Sequence, residues 1–325
     1  MTSVVLVSHQ LAGHRAAYIE QFSAVFRKWS WDVALVRHWS RVLFDRRPVL
    51  FLMVEESTAG YVVAACVRCL LGARTAGLLF RQPNRRSIGG GMKQLVLGGL
   101  TRVPLIHTLS IVPFPVTPDL QRVASGWIHD PQLWDYEPSG AVVTDLSRRV
   151  QKAAGGRRVL VALGMQNRSK GFELLCQAYL ASPALRDDWF FIAAGQVAPD
   201  MADIAQAFVD AGGMVVDRFV DDDELRSLYG VADMAWSLYH PIYDQASGIF
   251  GRAVQVDVPA LVRSGSAISR LAGMLGARRR EADFDPASVV AALQAPEPLA
   301  SGRADIGELA RVSLDTLQDA LAGAR

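Results

Sequence analysis

With 325 residues, half of them apolar and one-fifth charged, the chain is too apolar for a natively unfolded polymer. It is also too long for one ordinary core of about 150 residues, and it fits two α/β domains of similar size. The net charge of +2 divides unevenly: residues 1–155 carry 18 basic against 10 acidic side chains, and the remainder 16 against 22. A basic first half suits an anionic partner such as a membrane surface, a phosphorylated acceptor or a polyanionic glycan; attraction between the two halves explains it equally well.

The amino terminus, MTSVVLVSHQLAGHR, has no basic region before its apolar run and no small-residue cleavage site after it, so it reads as a first strand and the expected location is cytoplasmic. Nearly continuous apolar runs at 3–9, 32–38, 49–54, 75–80 and 105–112 predict parallel strands covered on both faces. Helical spacing falls between them at 14–28, 57–72 and 87–102. In the second of these, Arg68 and the following Arg74 interrupt the apolar stretch before a membrane span accumulates. Cys66 and Cys69 form a C-x-x-C with no second ligand pair nearby and read as two small core side chains. Residues 136–157 are polar and glycine-containing and read as an interdomain connection, giving domains at 1–155 and 156–325.

The alternation restarts with strands at 157–164, 189–195, 214–220, 234–239 and 260–265 and helices at 170–182, 200–212, 222–231 and 247–257. The segment from Asp285 onward is amphipathic and helical. This order predicts two doubly wound, Rossmann-like α/β domains facing a cleft, with ligands outside the carboxyl ends of the strands. Periodicity alone does not choose among a transferase, a binding protein and an epimerase.

The most specific string is VLVALGMQNRSKGFELLCQAYL (159–180): a strand, a turn opened by Gly164, then Lys170-Gly171 leading into a helix. Here the chain resembles the GT-B glycosyltransferases, in particular the large retaining family four. WFFIAAGQ is similar to that family's donor loop after a strand. VVDRFVDDDELRSLYGVADMAWSLY is similar to its strand, acidic helix start and following strand, and SGIFGRAVQVDVPALV to its glycine-containing helix and strand. The resemblance covers about 158–277 in order and is faint over 1–155.

The resemblance implies a nucleotide diphosphate sugar as donor substrate, no separate cofactor and no metal. It implies a glycan, a lipid-linked or a small-molecule acceptor on the first domain. Lys170 at a strand-to-helix turn can place an ammonium beside a diphosphate, or it is a solvated first-turn residue. Relatives share this role with an arginine directly after the glycine. Met165 stands there instead, and Arg168 is the nearest substitute. Gly195 and Gln196 let backbone approach a ligand. Arg218 and Phe219 match the stretch that holds the nucleobase, although Phe219 equally suits a core. Of the family's two glutamates, Gln245 keeps hydrogen-bonding capacity and Ala253 does not. Ser247 and Gly248 either meet the diphosphate or cap a helix.

In the first domain Gly13 and His14 occupy the place of a glycine loop near sugar and acceptor; His14 alternatively caps a helix. Arg81 replaces a histidine of the relatives with a permanent cation, able to bind phosphate or hydroxyl but not to act as a base. Arg81, Arg85, Arg86 and Lys93 fall in one strand-loop-helix passage, which suits an anionic bilayer if the acceptor is lipid-linked. The protein would then be peripheral at the inner face of the membrane. Asp221 to Asp223 are explained by the helix they precede rather than by a metal. Nothing suggests a nucleic-acid partner. The expectation is a retaining, metal-independent glycosyltransferase. Its alternatives are a catalytically silent GT-B homologue that binds or scaffolds, and a nucleotide-sugar epimerase using Glu55 and Glu56.

Overall fold

The computed structural model describes residues 3–10, 14–80, 90–134, 142–296 and 305–323. The chain divides into two compact units, Met1–Asp135 with Ile306–Arg325, and Tyr136–Asp305.

Unit 1 contains strands β1 (Ser3–Val7), β2 (Asp32–Val36), β3 (Val49–Phe51), β4 (Thr75–Leu79), β5 (Ile106–Ser110) and β6 (Gly126–Trp127), with helices α1 (His14–Lys28), α2 (Thr58–Leu70) and α3 (Gly90–Leu100). The strands form one parallel sheet in the order β2-β1-β3-β4-β5-β6, with Leu6 opposite both Leu35 and Leu50 and Leu50 opposite Ala76. β3 and β4 are buried throughout, as central strands covered by helices on both faces must be.

Unit 2 begins with α4 (Asp145–Ala154) and continues β7 (Arg158–Leu163), α5 (Phe172–Ala181), α6 (Pro183–Asp188), β8 (Trp189–Ala194), α7 (Ala202–Asp210) and β9 (Met214–Val216). Then follow α8 (Asp222–Gly230), β10 (Met234–Ser237), α9 (Gly248–Gln255), β11 (Ala260–Arg263), α10 (Ala267–Met274), β12 (Arg279–Ala282) and α11 (Pro286–Gln294). Its sheet is again parallel, in the order β12-β11-β10-β7-β8-β9. The last helix, α12 (Ile306–Ala322), belongs to unit 1, where Leu317 and Leu321 are fully buried and the Ser313 hydroxyl accepts the His129 N–H at 3.0 Å.

This division differs from a boundary at 155 in two places. The segment expected to connect the domains contains α4, started by a capping box: Thr144 Oγ1 accepts the Ser147 N–H while Ser147 Oγ accepts the Thr144 N–H. Its inward residues Leu146, Val150 and Ala154 join the core of Val159, Val161 and Ile192, so its polar sequence is only its outer face. The carboxyl-terminal helix, expected with the second domain, packs with the first. β9 ends at Val216, which leaves Asp217 to Val220 as loop, and Lys170 ends a short 3-10 turn instead of opening α5. Cys66, expected in the core, is exposed on α2, while Cys69 is half-buried.

His129 is buried, its Nδ1 has no hydrogen-bond partner among the described residues, and burial pushes its pKa down to about 4. Between its usual value near 6.5 and about 4 the unfolded chain takes up a proton that the folded chain refuses, so stability should fall with falling pH across that window by roughly 2–3 kcal/mol. Urea melts of His129→Phe between pH 7 and 4 should show a flatter acid slope than the parent. An unchanged slope contradicts the assignment.

Candidate functional site

In unit 2 the chain runs from β7 outward through β8 and β9 and then returns to β10 on the other side of β7. The order therefore reverses between β7 and β10. In doubly wound sheets the crevice at such a reversal, outside the carboxyl ends of the strands, is where ligands bind. The loop after β7 and the loop after β10 meet there. His240 N–H donates to the Ser169 carbonyl at 3.1 Å, and Trp236 Nε1 donates to the Lys170 carbonyl at 3.1 Å. Gly171, at φ +72°, permits the approach: a Cβ there would lie 2.3 Å from the Leu238 carbonyl oxygen.

Asn167 starts the turn that presents Lys170. Its Oδ1 accepts the Lys170 N–H at 3.0 Å and the Ser169 hydroxyl at 2.8 Å. With its backbone fixed on both sides, the half-buried Lys170 lays its ammonium 4.2 Å from the ring centre of Tyr239 and 3.9 Å from that of Tyr243. Two aromatic faces attract the cation without neutralising it. Among the described residues no carboxylate pairs with Lys170.

The Tyr239 hydroxyl bonds Ser247 Oγ at 2.9 Å, and Tyr229, whose proton is held by burial, donates to the Ile249 carbonyl at 2.8 Å. Both contacts fix the start of α9. Ser247 therefore does not cap α9 with its side chain. The first bond of the helix is Gly251 N–H to Ser247 O at 2.9 Å, so the amides of Gly248, Ile249 and Phe250 make no backbone hydrogen bond among the described residues. They carry the positive end of the helix dipole. Ile249 stands over Gly164, 3.8 Å from where a Cβ would be.

Gly164 and Gly195 lie against each other at the ends of β7 and β8, with φ of +84° and +137°. Gln166 is buried under them: its side-chain amide donates to the Ala162 and Gly164 carbonyls at 3.1 and 2.7 Å, and its N–H donates to the Gln196 carbonyl at 2.8 Å. Gln196 thus takes part through its main chain, and its side chain is exposed.

The two other cations expected at the donor site, Arg168 and Arg218, are committed elsewhere. Arg168 Nε sits 3.4 Å from Glu173. Arg218 makes a bidentate pair with Glu224 at 2.6 and 2.7 Å, which raises the guanidinium's affinity for its proton and lowers that of the carboxyl. Phe219, for which a core place was an alternative, is 79% exposed. Gln245 is half-buried next to Asp244, which is tied to Arg263 at 3.0 Å and to the Ala267 N–H at 2.8 Å. Ala253 is fully buried in the core.

In unit 1, Gly13 and Arg81 lie outside the described residues, and His14 is the first residue of α1. Glu56 is ion-paired with Arg15, and Glu55 accepts the Phe80 N–H, so both carboxylates hold the fold of their loop. Tyr239, Tyr243, Asn167 and Gln166 were not anticipated. Two tyrosines four residues apart after a strand, in SLYHPIYDQ, were the available signal for the first two.

Neither a protein-family model nor a curated protein matches the sequence. Solved structures do resemble it. HepE of Anabaena, in complex with UDP, aligns with a TM-score of 0.62 at 13% identity, covering 98% of this chain and 100% of that one. Sucrose-phosphate synthase of Thermosynechococcus elongatus aligns at 0.61 and 13%, covering 99% and 96%. WaaG, a glycosyltransferase involved in lipopolysaccharide biosynthesis, aligns at 0.58 and 12%, covering 99% and 100%. The chain has the GT-B fold of two Rossmann-like units.

Proposed function

We propose that the chain is a glycosyltransferase that binds a nucleoside diphosphate sugar at the β7–β10 crevice of unit 2 and passes the sugar to an acceptor hydroxyl. The observation that carries this reading is the Lys170 ammonium, which pairs with no carboxylate among the described residues and is held by two tyrosine rings whose network also fixes the start of α9. Support comes from structural neighbours solved with UDP and glucose or with UDP-2-fluoro glucose.

A diphosphate at this site meets Lys170 and the free amides of Gly248 to Phe250. These groups stabilise the charge that grows on the leaving diphosphate without reorganising. Gln245 offers its amide to the sugar, and the exposed ring of Phe219 offers a face to the base. Retention of configuration follows if the leaving diphosphate takes the acceptor proton. The acceptor belongs to unit 1 and is a glycan, a lipid-linked sugar or a small molecule.

Lys170→Ala should weaken UDP binding by roughly 1.5–3 kcal/mol and leave uridine binding unchanged, as read by calorimetry. Equal loss of both ligands, or of neither, contradicts the reading. Because Lys170 and helix amides take the diphosphate charge, sugar transfer should persist in excess chelator. Inhibition by chelator that magnesium or manganese restores defeats that argument.

A second reading, a homologue that binds a nucleotide sugar without transferring it, is favoured by one observation. Neither position of the family's glutamate pair carries a carboxylate, and Ala253 is sealed in the core. Release of UDP from UDP-sugars in the presence of candidate acceptors separates the two.

A further inference from the structure

α2 is apolar on every side, and its one charged residue, Arg68, is fully buried. The outward positions, Ala59, Val63, Cys66 and Leu70, recur every three or four residues and form an uncharged stripe where a helix facing water ordinarily carries polar groups. α3 packs beside α2 and exposes Met92 and Leu95. Phe44, 77% exposed, sits in the loop that Arg68 fastens to the end of α2 through the Val42, Asp45 and Arg47 carbonyls. Of the large hydrophobic side chains exposed in the described part of unit 1, only Leu35 and Val312 lie away from this region. A patch of this kind marks an interaction surface.

Charge says what covers it. Neither α2 nor α3 contains an acidic residue. Arg41, Arg46, Lys93 and Arg102 are exposed along the same helices and loops, and they form no ion pair among the described residues. The acidic residues flanking the patch are engaged: Asp45 pairs with Arg47, and Asp119 with Arg122. A second copy docking face to face would set this cationic rim against its own like charges. An anionic lipid surface satisfies both the apolar stripe and the rim. Helices of 13 and 11 residues are roughly 20 and 17 Å long, shorter than the hydrocarbon core of about 30 Å, so they lie on a bilayer and do not cross it.

We infer that the α2–α3 face of unit 1, with Phe44, Leu70, Met92 and Leu95 as its apolar contacts, docks the protein onto anionic phospholipid. This site stands independently of the donor reading, since none of its residues lies in unit 2.

The test is flotation of the full chain with phosphatidylcholine vesicles containing roughly a third phosphatidylglycerol. Binding is expected at low salt and should fall as salt rises to about 0.5 M. Leu70→Ser with Leu95→Ser should lower the partition coefficient at least tenfold while circular dichroism and Tm stay at the parent's values. Arg46→Gln with Lys93→Gln should lower binding and flatten its salt dependence. Val209→Ser in unit 2 should change nothing. Absence of flotation at low salt, or flotation unchanged in the leucine pair, overturns the inference. So does a concentration-dependent dimer in lipid-free buffer that the leucine pair abolishes, which would assign the face to a second copy.

Discussion

Gly195→Ala should lose roughly 2–4 kcal/mol of stability and should abolish nucleotide binding even in the fraction that folds. At φ +137° a side chain is strained, and a Cβ would stand 1.9 Å from the Gly164 carbonyl oxygen and 2.5 Å from its carbon. Neither atom can retreat cheaply. Gly164 N–H is bonded to Ala194 O at 3.0 Å, Gln166 spans the turn with its amide, and the Gln166 N–H holds Gln196 O at 2.8 Å. Relief of the clash therefore separates the loops after β7 and β8, and the first of them carries Lys170. Gly155→Ala is the control. It also has positive φ, +59°, but no atom lies within 4 Å of the added carbon, so the strain alone should cost about 1 kcal/mol. Urea melts and UDP calorimetry on both variants check this, and a Gly195→Ala protein as stable as Gly155→Ala would show that the loops do not interlock.

How far the sequence discloses this structure depends on the range over which each decision is made. The central strands are legible because burial on both faces writes a continuous apolar run, as in TAGLLF. β12 is not, because it is an edge strand reading R-R-E-A in which only Ala282 is buried, and β6 is only two residues long. α12 announces itself as a helix by its period, but which of two cores receives Leu317 and Leu321 is a long-range choice that no local pattern encodes. The same distinction runs through the candidate site. Gly164, Gly195 and the Lys170 turn are local strand-turn-helix features and stand out. That Arg168 turns to Glu173 and Arg218 to Glu224 is decided between side chains. The clamp of Tyr239 and Tyr243 on Lys170 joins loops from two strands far apart in sequence. An arginine inside an apolar helix also misleads: Arg68 interrupts a hydrophobic run on paper and is a buried fastening in the fold.

That fastening carries the largest expected effect of a single substitution in unit 1. All five N–H bonds of the Arg68 guanidinium are used. Nε donates to Thr75 Oγ1 at 2.9 Å, one terminal nitrogen to the carbonyls of Val42 (3.1 Å) and Asp45, and the other to those of Arg47 (2.6 Å) and Arg74 (2.8 Å). Burial pushes its pKa down to about 10, with Asp45 opposing that shift, so it stays charged at neutral pH. Arg68→Met fills much of the volume but leaves the Asp45 and Arg47 carbonyls without a donor among the described residues, while those of Val42 and Arg74 keep the Asp45 and Val49 N–H groups at 3.2 and 3.3 Å. At roughly 1–3 kcal/mol for each unsatisfied buried group, the loss should reach at least about 2 kcal/mol, a large fraction of the stability of a small domain. Arg68→Lys keeps the charge but has three donors for five acceptors, so it should fall between parent and Arg68→Met. The loop bearing Phe44 should loosen in both variants, because two of its carbonyls, those of Asp45 and Arg47, lose their shared anchor at the end of α2. Equilibrium urea unfolding ranks the three proteins, and proteolysis within 42–47 reports the loop. An Arg68→Met protein within about 1 kcal/mol of the parent would mean that water replaces the guanidinium at these carbonyls, and that the α2 terminus is held by its apolar packing alone.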